Sequence, residues 1–257
     1  RVHGRVIPNG TITGRMTHRN PNMAQVPNIH SPFGKECRAC WSVPEGYKLV
    51  GIDASGLELR MLAHYMNDSN YIEEVVNGDI HSTNQELAGL KTRDQAKTFI
   101  YALVYGAGDA KIGSIINGDI KKGKALKNRF FSNLPALKKL RDRVQQASNR
   151  GFLKGIDGRK IHVRSQHVSL NTLLQGSGAI VMKQAMINLY ELIKLNVVDA
   201  HFVANIHDEW QLQVKESQAD YIGRLGVECI EKVTEQFKMR CDLTGEYKIG
   251  GNWSETH

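Results

Sequence analysis

The stretch that decides the fold is Arg93-Asp-Gln-Ala-Lys97-Thr-Phe-Ile-Tyr101-Ala-Leu-Val-Tyr105-Gly106. Residues four apart in a helix differ by about 400°, so the two cations and two phenols at positions 93, 97, 101 and 105 stay near one face. A helix that presents these groups in line suits a polyphosphate attached to a base. A solvated basic face on an ordinary amphipathic helix explains the row equally well, so the rest of the chain has to decide.

The ends and the buried face of this helix are also predicted. Thr92 is suited to the N-cap and Gly106 to the end of the helix, which should therefore cover about residues 92–106. Four apolar side chains point away from the row and can anchor the helix in a core: Ala96, Phe99, Ile100 and Leu103.

Composition restricts the class of protein. The chain has 257 residues, 41% hydrophobic and 23% charged, which is enough to bury a sizeable core. No apolar stretch is long enough for a membrane span and no signal peptide is visible, so we expect a cytoplasmic protein. The net charge of +8 favours a polyanionic partner.

Cys37-x-x-Cys40 has metal or redox spacing, but no second such pair exists, so reduced thiols are the simpler interpretation.

Two acidic positions are predicted at the ends of strands. Tyr47–Asp53 is a short apolar run that ends in an acid and precedes a helical pattern. His201–Ile206 and Trp210–Lys215 predict the two strands of a hairpin, the second with alternating apolar and polar residues. His207-Asp208-Glu209 then falls in the connecting turn, where exposed acids can bind a hard divalent cation. A plain polar turn is the alternative, since aspartate is common in turns.

Together these elements resemble the family A, Pol I-like DNA polymerases. The blocks that carry the resemblance occur in the family's order, and their variant is similar to that of the replicative polymerases of T-seven-like short-tailed phages. They are Thr13-Gly-Arg15, Asn22-Met-Ala-Gln-Val-Pro27, Asp53-Ala-Ser-Gly-Leu-Glu-Leu-Arg60, Arg93 to Gly106, Asn171-Thr-Leu-Leu-Gln175 and His207-Asp-Glu209. The likeness continues to Gly251-Asn-Trp253 and His257.

The resemblance implies an α+β fold, with an antiparallel palm sheet flanked by helices and mainly helical fingers. It implies a first palm segment at 1–65, fingers at 66–170 and a second palm segment at 171–257. The family's thumb and 3′–5′ exonuclease domains normally lie upstream and are not expected within this chain.

The resemblance also implies a template-directed DNA polymerase, which extends a primer with dNTPs and releases pyrophosphate. Two Mg²⁺ ions, with Mn²⁺ as a substitute, would be held by Asp53, Asp208 and the Ala54 carbonyl, with Glu209 supporting the catalytic centre. Lys97 would donate a proton to pyrophosphate. The other implied nucleotide-binding residues are His81, Arg93, Glu58, Tyr101 and Tyr105, and the implied DNA-binding residues are Arg15, Gln175, Gly106 and His207.

The implied partners are primer-template DNA, dNTPs and either a processivity factor or a thumb-bearing chain. No membrane association is expected. The expected location is the cytoplasm, which is that of the host cell if the protein is viral. Two other functions remain open. A two-metal nuclease also needs paired carboxylates, although it leaves the row from Arg93 to Tyr105 unexplained. A catalytically idle nucleic-acid-binding fragment would bind duplex without extending it.

Overall fold

Eight strands and ten α-helices are formed by residues 2–256, the part of the chain that the computed structural model describes. The strands are β1 (Arg5–Ile7), β2 (Thr17–Arg19), β3 (Tyr47–Ala54), β4 (Phe152–Lys154), β5 (Lys160–His162), β6 (Ala200–Ile206), β7 (Glu209–Lys215) and β8 (Gly245–Gly250). The helices are α1 (Gly34–Ala39), α2 (Leu57–Met66), α3 (Ser69–Val76), α4 (Ile80–Ala88), α5 (Arg93–Val104), α6 (Asp109–Ser114), α7 (Ile120–Asn133), α8 (Pro135–Ser148), α9 (Ser169–Leu195) and α10 (Ala219–Gln236). The predicted α+β class is confirmed.

The chain divides into two units. The sheet unit comprises Arg1–Leu57 and Gly176–His257, and the helical unit comprises Glu58–Gln175. The unit boundaries fall within α2 and α9. His257, which ended the predicted resemblance, lies outside the described residues. Within those residues, no helix combines the length and the apolar character that crossing a membrane requires.

The sheet unit is built on one antiparallel sheet with the strand order β6-β7-β3-β8. Its central strand β3 pairs with β7 and β8, so that Asp53 lies opposite Glu209 on one side and Glu246 on the other. Directly paired residues project to the same face of a sheet, so these three acids share one face. The other face packs against α10 so closely that a side chain at Gly226 would collide with Ile52.

The face that carries the acids also carries a buried apolar cluster. Leu49 of β3 belongs to this cluster with Ile206 and Trp253, and partly buried residues of the N-terminal segment such as Val26 extend it. Asp53, on the same face of β3 as Leu49, is only half-buried. The central strands β3 and β7 are thus largely covered on both faces, whereas the edge strands β6 and β8 include exposed residues.

The polar face of β7 is not solvated. An alternation such as that of Trp210, Leu212 and Val214 with polar residues is common in strands that have one solvated face. In this strand Gln211 and Gln213 are only 2% and 9% exposed, because the polar face is also covered. The alternation is therefore real, but both of its faces are buried.

The helical unit is organised by α5, and its predicted ends are confirmed. The Thr92 hydroxyl accepts a hydrogen bond from the Gln95 amide at 3.2 Å, and α5 ends at Val104, two residues before Gly106. Gly106 has a φ of +78°, and a side chain there would collide with the His167 carbonyl, so both conformation and space require glycine.

The predicted buried face of α5 is correct with one exception. Ala96, Phe99 and Ile100 are fully buried, and the Phe99 ring meets Phe130 of α7 edge to face with centroids 5.1 Å apart. Leu103, also predicted for the core, is only half-buried, and its neighbour Val104 is buried instead. The core thus occupies the side of α5 away from its row of cations and phenols.

Candidate active site

The end of the sheet brings two carboxylate-bearing segments together. Asp53 is the penultimate residue of β3, and Asp208 lies in the turn between β6 and β7. The backbone amide of Ala54 donates to the Asp208 carbonyl oxygen at 3.1 Å, which fixes the turn to the end of β3. Both aspartates are half-buried, so their carboxylates can reach a ligand from a held backbone.

The turn that carries Asp208 is tight. Ile206 pairs with Glu209, which leaves only His207 and Asp208 in the loop. His207 is exposed and has a φ of +58°, in the left-handed region that non-glycine residues seldom adopt. Two-residue hairpin loops commonly require a positive φ, so the tightness of the turn accounts for this conformation.

Glu209 was predicted in the exposed turn, and its predicted position is wrong. It is the first residue of β7 and only 5% exposed. Its Oε1 accepts hydrogen bonds from the Trp253 indole Nε1 at 2.8 Å and from Gln211 Nε2 at 2.5 Å. The Thr256 hydroxyl in turn donates to Gln211 Oε1 at 2.8 Å. Hydrogen bonds of this kind compensate a buried carboxylate for its lost hydration. The Glu209 side chain points inward and links the C-terminal segment to the sheet.

A buried cation completes the surroundings of Glu209. Arg38 is 6% exposed, lies over the Trp253 ring at 4.2 Å, and donates from Nε to the Pro27 carbonyl at 2.9 Å. Burial lowers the pKa of Arg38, while the negative charge of Glu209 opposes that effect. The Glu209 carboxylate therefore belongs to an internal polar network behind the two aspartates.

The aspartates fit a magnesium site by their chemistry. Mg²⁺ prefers oxygen ligands and is commonly held by one or two carboxylates, with water and phosphate oxygens completing its shell. Asp53 and Asp208 supply two half-exposed carboxylates of this kind. In residues 2–256, no three His, Cys, Asp or Glu side chains are grouped to hold a metal by themselves. Any further ligands would come from the backbone, water or substrate.

The helical unit carries the predicted phosphate-binding row. Arg93 and Lys97 are exposed on α5, Tyr101 is half-buried, and Tyr105 is 42% exposed just beyond the helix end. His81 of α4 lies beside the row, with its ring centroid 6.2 Å from that of Tyr101. Burial first, and then the positive charges of Arg93 and Lys97, lower the pKa of His81.

Glu58 is held by the second phenol of the row. The Tyr105 hydroxyl lies 2.8 Å and 2.9 Å from the two oxygens of the Glu58 carboxylate. The family resemblance implied both Glu58 and Tyr105 as nucleotide-binding residues. The structure places these two side chains in direct contact with each other.

The remaining predicted residues lie in different units. Arg15 belongs to the sheet unit, and Gln175 is the last residue of the helical unit, half-buried in α9. The segment that carries Arg15 is held by Lys183, whose Nζ donates to the carbonyls of Pro8 at 2.6 Å and Gly14 at 2.7 Å. It also donates to Asn9 Oδ1 at 2.7 Å.

Two residues without a predicted role hold predicted site residues. Lys183 holds the segment before Arg15, and Asp79 binds Arg93. Asp79 had a local signal, since an acid just before a helix is a typical N-cap. Lys183 had none, because its three acceptors lie 169 to 175 residues away in sequence.

Comparisons with known proteins identify the family of the chain. The family model described as DNA polymerase family A matches residues 1–255, and the chain belongs to the family A DNA polymerases. The resemblance found in the sequence is thus confirmed.

Among the relatives are the DNA-directed DNA polymerases of Enterobacteria phage T3, 42% identical, and of Escherichia phage T7, 41% identical. Each alignment covers 100% of this chain and 41% of the phage protein. DNA polymerase I of Caldicellulosiruptor bescii is 30% identical, with 32% of its length covered.

A solved structure also shares the fold. It is described as the POL domain of Pol1 from M. smegmatis in complex with DNA primer-template and dNTP. The similarity has a TM-score of 0.90 at 24% identity and covers 100% of this chain and 48% of the solved chain. This likeness establishes the polymerase-domain fold.

Proposed function

We propose that the chain carries the catalytic centre of a template-directed DNA polymerase, which adds deoxynucleotides to a primer 3′-hydroxyl and releases pyrophosphate. The observation that carries the proposal is the pair of half-exposed aspartates, Asp53 and Asp208, joined through the Ala54 amide in a chain of this family. Strands covered on both faces hold these acids, as a preorganised site requires.

Asp53 and Asp208, with the Ala54 carbonyl, would hold two Mg²⁺ ions, for which Mn²⁺ can substitute. When bound, the ions assist deprotonation of the primer hydroxyl and stabilise the charge on the departing phosphate oxygen. The two carboxylates would position the metal ions. Glu209 contributes indirectly, because its inward hydrogen bonds fix the start of β7.

The row on α5 binds the incoming nucleotide in this proposal. Arg93, Lys97 and His81 hold the triphosphate, where positive charge at the phosphate oxygens favours the transition state. Lys97 also donates a proton to the departing pyrophosphate. Glu58 and Tyr101 lie beneath the sugar and disfavour a ribose 2′-hydroxyl.

The DNA contacts are proposed for another set of residues. Tyr105 stacks on the template side beside Gly106, and His207 contacts the DNA. Arg15 and Gln175 donate to minor-groove acceptors of the new base pair, whose positions are similar in all correct pairs. They therefore test the geometry of a pair without reading its sequence.

The proposed partners of the enzyme are primer-template DNA, dNTPs and a thumb-bearing chain. The chain spans 41% of the length of the phage relatives. We also propose a processivity factor as an accessory protein and the cytoplasm as the place of action.

Primer extension tests the function. The parent, Asp53→Asn and Asp208→Asn are compared on a primed template with dNTPs and Mg²⁺, with Asp220→Asn on α10 as a matched control. We expect extension by the parent and the control, its loss on metal chelation, and a decrease of at least ~100-fold in each active-site variant, since one preorganised electrostatic contact contributes about that factor. Extension that survives both substitutions refutes the assignment, and duplex binding without extension by the parent supports the idle-fragment function.

A further inference from the structure

Asp79 lies immediately before α4 and caps its N-terminus. Its Oδ1 accepts a hydrogen bond from the His81 amide at 3.2 Å, and its Oδ2 accepts one from the Ser82 hydroxyl at 2.7 Å. The carboxylate therefore fixes the first turn of the helix that carries His81.

The same carboxylate binds Arg93, the first residue of α5. Asp79 Oδ2 lies 2.8 Å from Arg93 Nε, and Oδ1 lies 3.0 Å from Arg93 Nη2, so that two parallel bonds form. These bonds hold the pKa of Asp79 well below its usual range and raise the pKa of Arg93. Asp79 thus joins the N-termini of two helices that both carry predicted triphosphate ligands.

Folding stability does not account for this pair. The side chains of Arg93 and Asp79 are 51% and 46% exposed. Exposed ion pairs contribute little to stability, because water screens their attraction and ordering two side chains is costly. The bidentate geometry instead holds the plane of a guanidinium that would otherwise sample many rotamers.

The bonds leave part of the Arg93 fork for another anion. Asp79 contacts Nε and Nη2, which form one edge of the planar guanidinium. The second edge, formed by Nη1 and the outer N–H of Nη2, has the spacing that matches two phosphate oxygens. A phosphate can therefore bind Arg93 without displacing Asp79.

His81 has a matching arrangement. Its Nδ1 is buried and has no hydrogen-bonding partner among the described residues, so any contact of the ring with a phosphate would be made by Nε2. The Asp79 carboxylate holds the backbone at this position, and it supplies negative charge next to a ring whose other charged neighbours are Arg93 and Lys97.

We propose that Asp79 is a positioning residue for the triphosphate site: its single carboxylate orders the Arg93 guanidinium and the His81 turn so that both present donors to the phosphates. The inference rests on the proposed function and adds a residue that does not itself touch the nucleotide. Its negative charge costs some attraction for a polyanion, but this cost is reduced because Arg93 neutralises it directly.

The test is equilibrium binding of dATP with Mg²⁺ to the full chain, measured by titration calorimetry. Asp79→Asn is the variant of choice because asparagine caps a helix as well as aspartate, so the first turn of α4 is retained while the ionic bidentate pair is lost. Asp68→Asn is the matched control, since Asp68 caps α3 by accepting from the Tyr71 amide and has no part in the proposed site.

We expect Asp79→Asn to weaken dATP binding by about 3- to 10-fold, the effect of losing the preorganisation of one long side chain. Asp68→Asn should bind like the parent, and both variants should unfold at the parent's temperature. In an Arg93→Ala background, adding Asp79→Asn should change the affinity less than about twofold, because the Arg93 side chain is absent and asparagine still caps the His81 turn. A merely structural role would not depend on Arg93 in this way.

Three results overturn the proposal. Unchanged or tighter binding by Asp79→Asn would show that the carboxylate is neutral or competes with phosphate for Arg93. An equal loss in the Arg93→Ala background would show that Asp79 acts through the fold alone. Absence of dATP binding by the parent would refute both this inference and the polymerase proposal, whereas the expected binding pattern without primer extension would refute the polymerase activity alone.

Discussion

Replacement of Glu209 by alanine should destabilise the sheet unit strongly. The variant removes the acceptor for the Trp253 indole and for the Gln211 amide, in a position that is only 5% exposed. It also leaves the buried Arg38 guanidinium without its negative neighbour. The change therefore affects packing, hydrogen bonds and charge at once.

The magnitude follows from the two donors left without an acceptor. A buried donor without a partner costs about 1–3 kcal/mol, and two of them cost about 2–6 kcal/mol. Relaxation of the exposed end of the sheet and entry of water reduce this figure, so we expect a loss of about 3–4 kcal/mol in the free energy of unfolding. Since a domain is commonly stable by about 5–15 kcal/mol, the loss is large but leaves a folded fraction to measure.

Intrinsic fluorescence provides a suitable assay. All three tryptophans of the chain, Trp41, Trp210 and Trp253, belong to the sheet unit, so their emission during urea unfolding reports that unit. Glu246→Ala is the matched control, because Glu246 lies on the same sheet face but is exposed. The control should change the unfolding free energy by less than about 0.5 kcal/mol.

A stable variant would refute this reasoning. If Glu209→Ala unfolds like the parent yet loses primer extension, the carboxylate acts in catalysis and its inward hydrogen bonds are dispensable. A double-mutant cycle with Trp253→Phe adds a second criterion. The two changes should be coupled by at least about 0.5 kcal/mol if the indole donates to Glu209, and additive if it does not.

Two further predictions concern the other held residues. Because burial lowers the His81 pKa in the folded chain, the unfolded chain takes up a proton first as the pH falls, so the stability of the fold should decrease below about pH 6.5. Thermal unfolding between pH 5 and 7.5 should show that the unfolding temperature falls less steeply with decreasing pH in His81→Gln than in the parent. Identical slopes in the two proteins would contradict the assignment. Lys183→Met removes three hydrogen bonds to the segment before Arg15, so amide hydrogen exchange at Gly14 and Arg15 should accelerate about tenfold or more, which corresponds to roughly 1.4 kcal/mol of local stability. Lys194→Met, at an exposed lysine over the Tyr190 ring, is the control, and equal exchange in both variants would exclude the anchoring role.

Local rules predicted the parts of the fold that depend on neighbouring residues. The N-cap at Thr92, the end of α5 near Gly106 and most of its buried face follow from side chains within one or two turns. The strands around Asp53 and Asp208 follow from short apolar runs and a turn. Such features could be read from one sequence because no distant contact is needed to define them.

The errors arise where distant segments decide the outcome. Glu209 was placed in an exposed turn, but Trp253, 44 residues further on, supplies the donor that draws its carboxylate inward. Gln211 is likewise buried by Thr256, 45 residues away. A polar residue in an alternating strand is exposed to solvent only if no other segment covers its face of the sheet. The sequence of the strand itself does not show which segment covers it.

The two sets of proposed catalytic groups depend on different kinds of support. Asp53 and Asp208 stand on paired strands whose interior includes Glu209, so changes in that interior should lower stability and metal-dependent activity together. Arg93 is an exposed side chain on a helix surface, and one half-exposed carboxylate fixes its orientation. Loss of that carboxylate should therefore weaken nucleotide binding without unfolding the chain. The two parts of the proposal can therefore be tested separately. Variants behind the aspartates should change the denaturant unfolding curve, whereas variants at Asp79 should change only nucleotide binding.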